Sequence, residues 1–381
     1  MMLTDEHEDF RRTVRSFVEN EINPYADEWE AAGRVPAHDL YAKMGKLGLL
    51  GLQFDPKWGG SGAGQLFAAV MCEELGRCAA RGVVMGINLQ THMATPSLAR
   101  FGSDDLRERY LRPTLAGELI GAIGVSEPDA GSDVAGLRTR AVRDGDDWVI
   151  SGSKLYITHG TQADWICLLV RTSEEGGHRG ISQIIVDTDT PGFSVSRTLD
   201  KLGNRSSDTA ELVFDQVRVP VSHTIGEIGR GFYQQMQQFQ PERMSAAYGV
   251  VGSTEYALER TVAYLKQREV FGKPLMDNQY LQFRLAELWA EVDLLRSHNY
   301  RCAELLDAGE DISRYASVAK LKAGRLGREV ADTCLQFHGG MGYMEENWTS
   351  RYYRDTRLSS IAGGADEVML QVLSKMHGMA G

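Results

Sequence analysis

Gly124-Val125-Ser126-Glu127-Pro128-Asp129-Ala130-Gly131-Ser132-Asp133 is a turn-rich loop at which the texture of the chain changes. From Gly121 to about Pro220, short β-rich runs alternate with turn residues. The runs are Trp148-Val149-Ile150, Trp165-Ile166-Cys167-Leu168-Leu169-Val170, Ile184-Ile185-Val186 and Glu211-Leu212-Val213-Phe214. Asp144-Gly145-Asp146-Asp147, Gly176-Gly177 and Pro191-Gly192 separate them. This pattern predicts a small antiparallel β-domain. Upstream, Phe10, Val14, Phe17, Val18 and Ile22 recur at helical spacing within Asp5 to Ala31. Helical pattern continues over Ala37 to Gly48 and Phe67 to Glu74, and with breaks over Met93 to Leu115. Downstream lie three long helical stretches: Met236 to Gln267, Gln279 to Leu306 and Val318 to Gln336. The fold class predicted is α+β in three domains: helical 1–120, β 121–228 and helical 229–381.

Composition narrows the function. The 381 residues are 43% hydrophobic and 24% charged, with a formal net charge of −11. That is enough apolar content for a large core. The negative balance disfavours general binding to nucleic acid or anionic lipid. No apolar run is long enough to span a bilayer. The polar, acidic start from Met1 to Phe10 lacks the features of a secretory or transit segment, so a cytoplasmic location is expected. Cys72, Cys78, Cys167, Cys302 and Cys334 form no CxxC pair and no zinc-site spacing, so free thiols and no metal are expected. Trp58-Gly59-Gly60-Ser61-Gly62-Ala63-Gly64 contains no G-x-G-x-x-G and reads as a loop.

The loop from Gly124 offers hydroxyls and free backbone amides, which can hydrogen-bond the polar edge of a planar ring system. Gly152-Ser153-Lys154-Leu155-Tyr156-Ile157-Thr158-His159-Gly160 places an aromatic and a hydroxyl, Tyr156 and Thr158, on one face of a strand. A third element is Lys201-Leu202-Gly203-Asn204-Arg205-Ser206-Ser207-Asp208-Thr209. In order and spacing the three resemble the β-domain of the acyl-CoA dehydrogenases. Arg268-Glu269-Val270-Phe271-Gly272-Lys273-Pro274 is similar to that family's turn between two long helices. Gln336-Phe337-His338-Gly339-Gly340-Met341-Gly342-Tyr343 is similar to its glycine-rich flavin contact, and Arg354 to Glu367 to its active-site segment.

The resemblance implies FAD. Ile123, Val125, Ser126, Tyr156 and Thr158 would hold the isoalloxazine ring, with Tyr156 where a tryptophan is common. Arg268, Phe271, Gln279, Gln336, Gly339 and Gly340 would reach the FAD of a neighbouring subunit in a homotetramer. Ala365 replaces a usual threonine, whereas Glu367 stays available to the cofactor. Ser132 would lie near the CoA arm. His92 and Met93 fall in the helical region that closes the acyl pocket of relatives.

One departure matters most. Many members carry a catalytic glutamate where this chain has Gly363, and glycine cannot take a proton. In the isovaleryl and long-chain branches the base stands instead on the helix after the β-domain, directly before an arginine. Here Gln240-Pro241-Glu242-Arg243 puts Glu242 in that place. Locally, a Pro-Glu pair also suits an ordinary helix start; the missing acid at Gly363 favours the catalytic role. The chain thus resembles the isovaleryl-, long-chain- and citronellyl-CoA dehydrogenase-like branch. The implied reaction is α,β-dehydrogenation of an acyl-CoA. Glu242 takes the Cα proton, Cβ gives hydride to flavin N5, and electrons pass to an electron-transferring flavoprotein. Arg243 and Gly363 are assigned to the substrate. Ala362, Gly363 and Gly364 leave room for a branch near C3, so 3-methyl-branched or medium-to-long straight acyl chains are expected. The alternatives are an acyl-CoA or nitroalkane oxidase of similar fold, or a flavin-binding relative without catalysis.

Overall fold

The computed structural model describes residues 3–379. The chain begins with α1 (Asp5–Phe17), α2 (Ala26–Ala32), α3 (Ala37–Lys46), α4 (Gln65–Leu75), α5 (Arg81–Asn88), α6 (Pro96–Phe101), α7 (Asp104–Leu106) and α8 (Arg112–Leu115). The single helix predicted from Asp5 to Ala31 is interrupted by a π-turn at Val18–Ile22 and a 3-10 turn at Asn23–Tyr25. Pro24 accounts for the break, because it has no N–H to donate and its ring crowds the preceding turn. Sequence periodicity does not reveal α5. Gly82 and Gly86 dilute its helical signal, and both serve close contacts. A Cβ at Gly82 would lie 2.4 Å from Ser206 Oγ, and one at Gly86 would lie 2.7 Å from His159 Nε2.

The strands are β1 (Gly121–Gly124), β2 (Arg140–Asp144), β3 (Asp147–Thr158), β4 (Trp165–Arg171), β5 (Ile181–Asp187), β6 (Phe193–Thr198), β7 (Thr209–Pro220) and β8 (Thr224–Ile225). They order as β6-β7-β3-β2-β4-β5-β8, with β1 also on β4. Antiparallel pairing holds for β2–β3, β3–β7, β6–β7, β4–β5 and β5–β8. The sheet is nonetheless mixed, since β1 and β2 both pair parallel to β4. The β2–β3 hairpin lies between β1 and β4 in sequence: the chain reverses at its turn and again between β3 and β4, so β4 regains the direction of β1. On β4, Ile166, Leu168 and Val170 pack in one cluster with Val14, Tyr41 and Ile87. Its alternate residues Trp165 and Cys167 pack in another with Leu98, Leu111 and Leu115. A strand without a solvent face explains the unbroken apolar run in the sequence.

The C-terminal part holds α9 (Gly231–Gln267), a hairpin of β9 (Glu269–Val270) and β10 (Lys273–Pro274), α10 (Gln279–Asp307), α11 (Ser313–His338), α12 (Trp348–Thr356) and α13 (Asp366–Met376). With 37 residues, α9 is about 55 Å long at the α-helical rise. It packs against α4, α10 and α11. Where α4 and α9 cross, their backbones touch. A Cβ at Gly252 would fall 1.8 Å from the Glu73 carbonyl oxygen, whereas one at Gly249 would meet only the Cys72 oxygen, at 3.6 Å. Next to this crossing, Arg11 and Arg15 of α1 ion-pair with the buried Glu74 at 2.9 and 2.8 Å. All five cysteines are buried free thiols. No helix among the described residues is long and apolar enough to cross a membrane.

The crossing yields a paired prediction. Gly252→Ala must push α4 and α9 apart and should destabilise the protein by about 3 kcal/mol or more. Gly249→Ala, with space for its methyl and better helix propensity, should be neutral or stabilising by up to about 1 kcal/mol. Thermal melting of the two variants checks this; equal melting temperatures would contradict the packing argument.

Candidate active site

Glu242 lies about three turns into α9, not at a helix start, because the helix begins at Gly231 rather than near the predicted Met236. Pro241 is therefore interior to the helix. Lacking an N–H, it leaves the Gln237 carbonyl without its helical donor. Three glutamine side chains hold this weakened stretch. Gln235 Oε1 accepts a hydrogen bond from Gln183 Nε2 of β5 at 3.1 Å. Gln238, one turn before Glu242, accepts from the Ser97 amide and hydroxyl at 3.1 and 2.9 Å and donates to the Met93 carbonyl. Gln240 accepts from the Ile312 amide at 3.2 Å and donates to Ser313 Oγ at 2.8 Å. The residues around Glu242 are thus tied to the sheet, to the first helices and to α11.

The Glu242 side chain is buried, with 8% of its surface exposed. Burial pushes its carboxyl up to about 7, against the opposing pull of Arg243 and Lys320. Arg243 is itself lowered by burial. Its Nε is buried without a hydrogen-bond partner, and its guanidinium lies 5.8 Å from the Phe239 ring centroid.

The Gly363 turn comes to the same place. After a 3-10 turn, Arg357–Ser360, Gly363 and Gly364 adopt φ of +64° and +102°. Only glycine takes such values freely. A Cβ on Gly363 would lie 3.6 Å from Lys320 Cε, and one on Gly364 would lie 3.8 Å from Arg243 Nε. Lys320 and Arg243, the two cations that act on Glu242, therefore also flank this turn.

His92 sits in a π-turn, Leu89–Ala94, that continues α5. Burial lowers its pKa to about 4, and its Nε2 is 3.8 Å from Cys72 Sγ. Gln90 of the same turn accepts from the Gly121 amide at 2.9 Å, fixing the entry to β1.

The predicted ring-binding residues are brought together. Lys154 Nζ donates to the Val125 carbonyl at 3.1 Å, and Leu155 N to the Ser126 carbonyl at 2.9 Å. The loop after β1 therefore lies along β3 beside Tyr156. Lys154 also forms a fully buried ion pair with Glu127 at 2.8 Å. Burial lowers its pKa to about 8 even so. Between Lys154 and Ile157 the β3–β7 register shifts, and Tyr156 has φ +64°. This bulge turns the Tyr156 ring outward, leaving it 68% exposed. Ile123 and Val125 pack behind the loop with Leu169 and Ile181. Thr158 is half-buried at the end of β3, and Ser132 is exposed in the turn beyond the loop.

The other predicted cofactor residues lie apart from these. Phe271 and Gly272, with φ of +53° and +76°, form the two-residue tip of the β9–β10 hairpin, a turn in which both central residues need positive φ. Phe271 is wholly exposed. Arg268, Gln279, Gln336, Gly339 and Gly340 are exposed too. A Tyr280–Phe337 ring contact at 6.4 Å brings the start of α10 to the end of α11. Among the described residues, no hydrogen bond or ion pair within the chain joins this set to the Ser126–Tyr156 set. Glu367 is exposed in the first turn of α13, whose N-cap, Ala365, has no side-chain cap. His338 stacks on Tyr264 at 4.2 Å and its Nδ1 donates to the Cys334 carbonyl, which is a packing role.

Residues 4–118, 122–217 and 229–377 match the family models for the N-terminal, middle and C-terminal domains of acyl-CoA dehydrogenase. The chain belongs to the acyl-CoA dehydrogenase family. A curated relative is the long-chain specific acyl-CoA dehydrogenase of Sus scrofa, 38% identical over 98% of this chain and 87% of its own. The isovaleryl-CoA dehydrogenase of Solanum tuberosum is 32% identical over 98% and 91%. The crystal structure of an acyl-CoA dehydrogenase from Geobacillus kaustophilus superposes with a TM-score of 0.94 at 39% identity, covering 98% of both chains. Acyl-CoA dehydrogenases are flavoproteins, oxidoreductases of acyl-CoA thioesters.

Sequence reasoning missed the three clamping glutamines, the Glu127–Lys154 pair and Lys320. Of these, only Lys320 leaves a sequence signal. It shares a helical face with Ala316, Ala323 and Gly327, where a charge is out of place.

The raised Glu242 pKa makes a pH prediction. Between the usual 4.5 and about 7 the folded protein holds a proton that the unfolded chain releases, so this group's contribution destabilises the fold as pH rises through that window. Glu242→Gln should therefore match wild-type stability below pH 4.5 and exceed it above pH 7 by about 3 kcal/mol. Denaturant midpoints of both proteins across this range test it. A variant no more stable than wild type at pH 8 would contradict the burial argument.

Proposed function

We propose that this chain dehydrogenates an acyl-CoA thioester between Cα and Cβ, with Glu242 as the base that takes the Cα proton. The observation that carries the reading is the buried Glu242 carboxyl, pushed up to about 7, beside a turn whose Gly363 has no side chain to serve. A carboxyl tuned near neutral pH suits general-base work. The Gly363 amide donates to the thioester oxygen and strengthens as charge develops there. Arg243 lines the same pocket.

FAD, when bound, supplies the hydride acceptor. The residues present fit such a group. The outward Tyr156 ring beside the Ser126 and Thr158 hydroxyls offers an aromatic wall with a polar edge. Arg268 has no ion pair among the described residues, and its fork suits pyrophosphate oxygens. Added Cβ atoms on Gly339 and Gly340 would meet nothing within 4 Å, so a cofactor can approach the backbone there. Phe271 and its neighbours, which share no hydrogen bond or ion pair with Ser126 and Tyr156 among the described residues, are assigned by family resemblance to the cofactor of a second subunit. The assembly is a homotetramer, and the electron acceptor is an electron-transferring flavoprotein. Glu367 belongs to the cofactor and Ser132 to the CoA arm. The substrate is a 3-methyl-branched or medium-to-long acyl-CoA. Gly363 fronts open space apart from Lys320 Cε, and relatives bear long-chain and isovaleryl names.

Anaerobic mixing of the FAD-loaded protein with a panel of straight and branched acyl-CoAs tests the reaction. Glu242→Gln should keep FAD and bind acyl-CoA, yet reduce flavin slower by about 10²–10⁴ or more. Near-normal reduction would refute the assignment. Partial recovery in Glu242→Gly with Gly363→Glu, relative to Glu242→Gly alone, is expected if both positions face one Cα.

For the substrate, kcat/KM with a 3-methyl-branched acyl-CoA should lie within about a hundredfold, roughly 2.7 kcal/mol, of its unbranched counterpart. A stronger preference for the unbranched chain would mean that another group fills the space at Gly363.

A further inference from the structure

Lys320 lies about two turns into α11, with only 2% of its surface exposed. Its neighbours on that face, Ala316 and Ala323, are buried in the C-terminal core. A buried lysine normally ion-pairs with a carboxylate. This one instead donates from Nζ to two backbone carbonyls, Ser359 at 2.6 Å and Gly364 at 3.1 Å. Those carbonyls bracket Gly363. Lys320 holds the turn through these two bonds, and Arg243 Nε of α9 lies 3.8 Å from where a Gly364 Cβ would stand.

We infer that Lys320 is a positioning residue for the dehydrogenation: it pins the Gly363 turn beneath α9 and supplies the positive charge that faces Glu242 from α11. This rests on Glu242 being the base. A Met at 320 would fill the same space without burying a charge, so packing alone does not account for the residue. The charges acting on Glu242 are Arg243 from its own helix and Lys320 from α11. Behind Lys320 stands Asp366 of α13, itself approached by Arg328 at 3.3 Å and Arg325 at 3.7 Å. Burial lowers the Lys320 pKa to about 8, with Asp366 and Glu242 supporting its charge and Arg243 opposing it. Its pKa stays above that of Glu242, so the ammonium is largely charged where Glu242 is half-titrated. It holds part of the Glu242 population ionised where burial alone would keep it protonated.

The test compares Lys320→Gln, which keeps a donor but removes the charge, with Lys320→Arg, which keeps both. Three readouts on the FAD-loaded protein separate a positioning role from a structural one. They are the pH profile of kcat/KM, the infrared titration of the Glu242 carboxyl with Glu242→Gln as the blank, and amide exchange over residues 359–364. In Lys320→Gln the acid limb and the carboxyl titration should both move to higher pH by roughly one unit. Activity below that limb should fall about tenfold, and the turn should exchange faster. Lys320→Arg should restore the wild-type limb. An unmoved carboxyl titration and unchanged exchange in a folded Lys320→Gln would overturn the inference. If Glu242→Gln turns over normally, the base assignment fails instead, and the infrared titration still decides whether Lys320 acts on Glu242.

Discussion

The desolvation of a single carboxyl, Glu242, is the constraint around which the site is organised. An unpaired acid is tolerated in such a place only if its surroundings are held rigidly enough that it cannot turn to water or find a partner. The helix carrying it is weak at that point because Pro241 removes a donor. Side chains of Gln235, Gln238 and Gln240 compensate by bonding to three different parts of the molecule. The two cations nearby do not cap the carboxylate: each acts through space while its polar atoms are engaged elsewhere or left without a partner. The result is a buried acid whose pKa is pushed up to about 7 against the pull of two cations.

Much of this is legible in the sequence, and the limits have physical causes. The six-residue apolar run of β4 marks a strand buried on both faces, and the turn pairs around it delimit the sheet. Glu242 can be picked out because two facts at distant positions, an acid before Arg243 and a glycine at 363, point the same way. By contrast α5 is hidden because its glycines answer to the 206–207 turn and to His159, not to its own propensity. Parallel pairing of β1 with β4 is invisible because both strands are apolar all round and alternation carries no direction. The clamping glutamines look like any polar stretch, since their partners, side chains and backbone groups alike, come from remote segments. The interruption at Pro24 was readable in principle; helical spacing of the flanking apolar residues masks it, because the π-turn keeps them on one face.

The two groups of predicted cofactor residues follow different physical logic. Around Ser126 and Tyr156, a buried Lys154–Glu127 pair and a strand bulge fix the loop and aim the aromatic ring. The loop and the ring are thus held in place by buried charge and by backbone shape. Around Phe271, the preparation is in the backbone: a tight hairpin projects a ring with nothing of its own chain to cover it. An apolar ring so placed is costly to leave in water.

The pattern of cores does not follow the sequence segments. The cluster containing Val14, Tyr41 and Ile87 is the same one that contains Ile150, Leu168 and Phe214, so the first helices and the sheet have one interior between them. Helix α4 contributes Leu66, Ala69 and Cys72 to the C-terminal cluster, although it precedes the sheet by some fifty residues. Cutting the chain near residue 120 would expose half of one core and remove a wall from another. The molecule is therefore modular as text but not as an object. The segment joints near 120 and 229 separate units of sequence, and cooperative unfolding will not respect them.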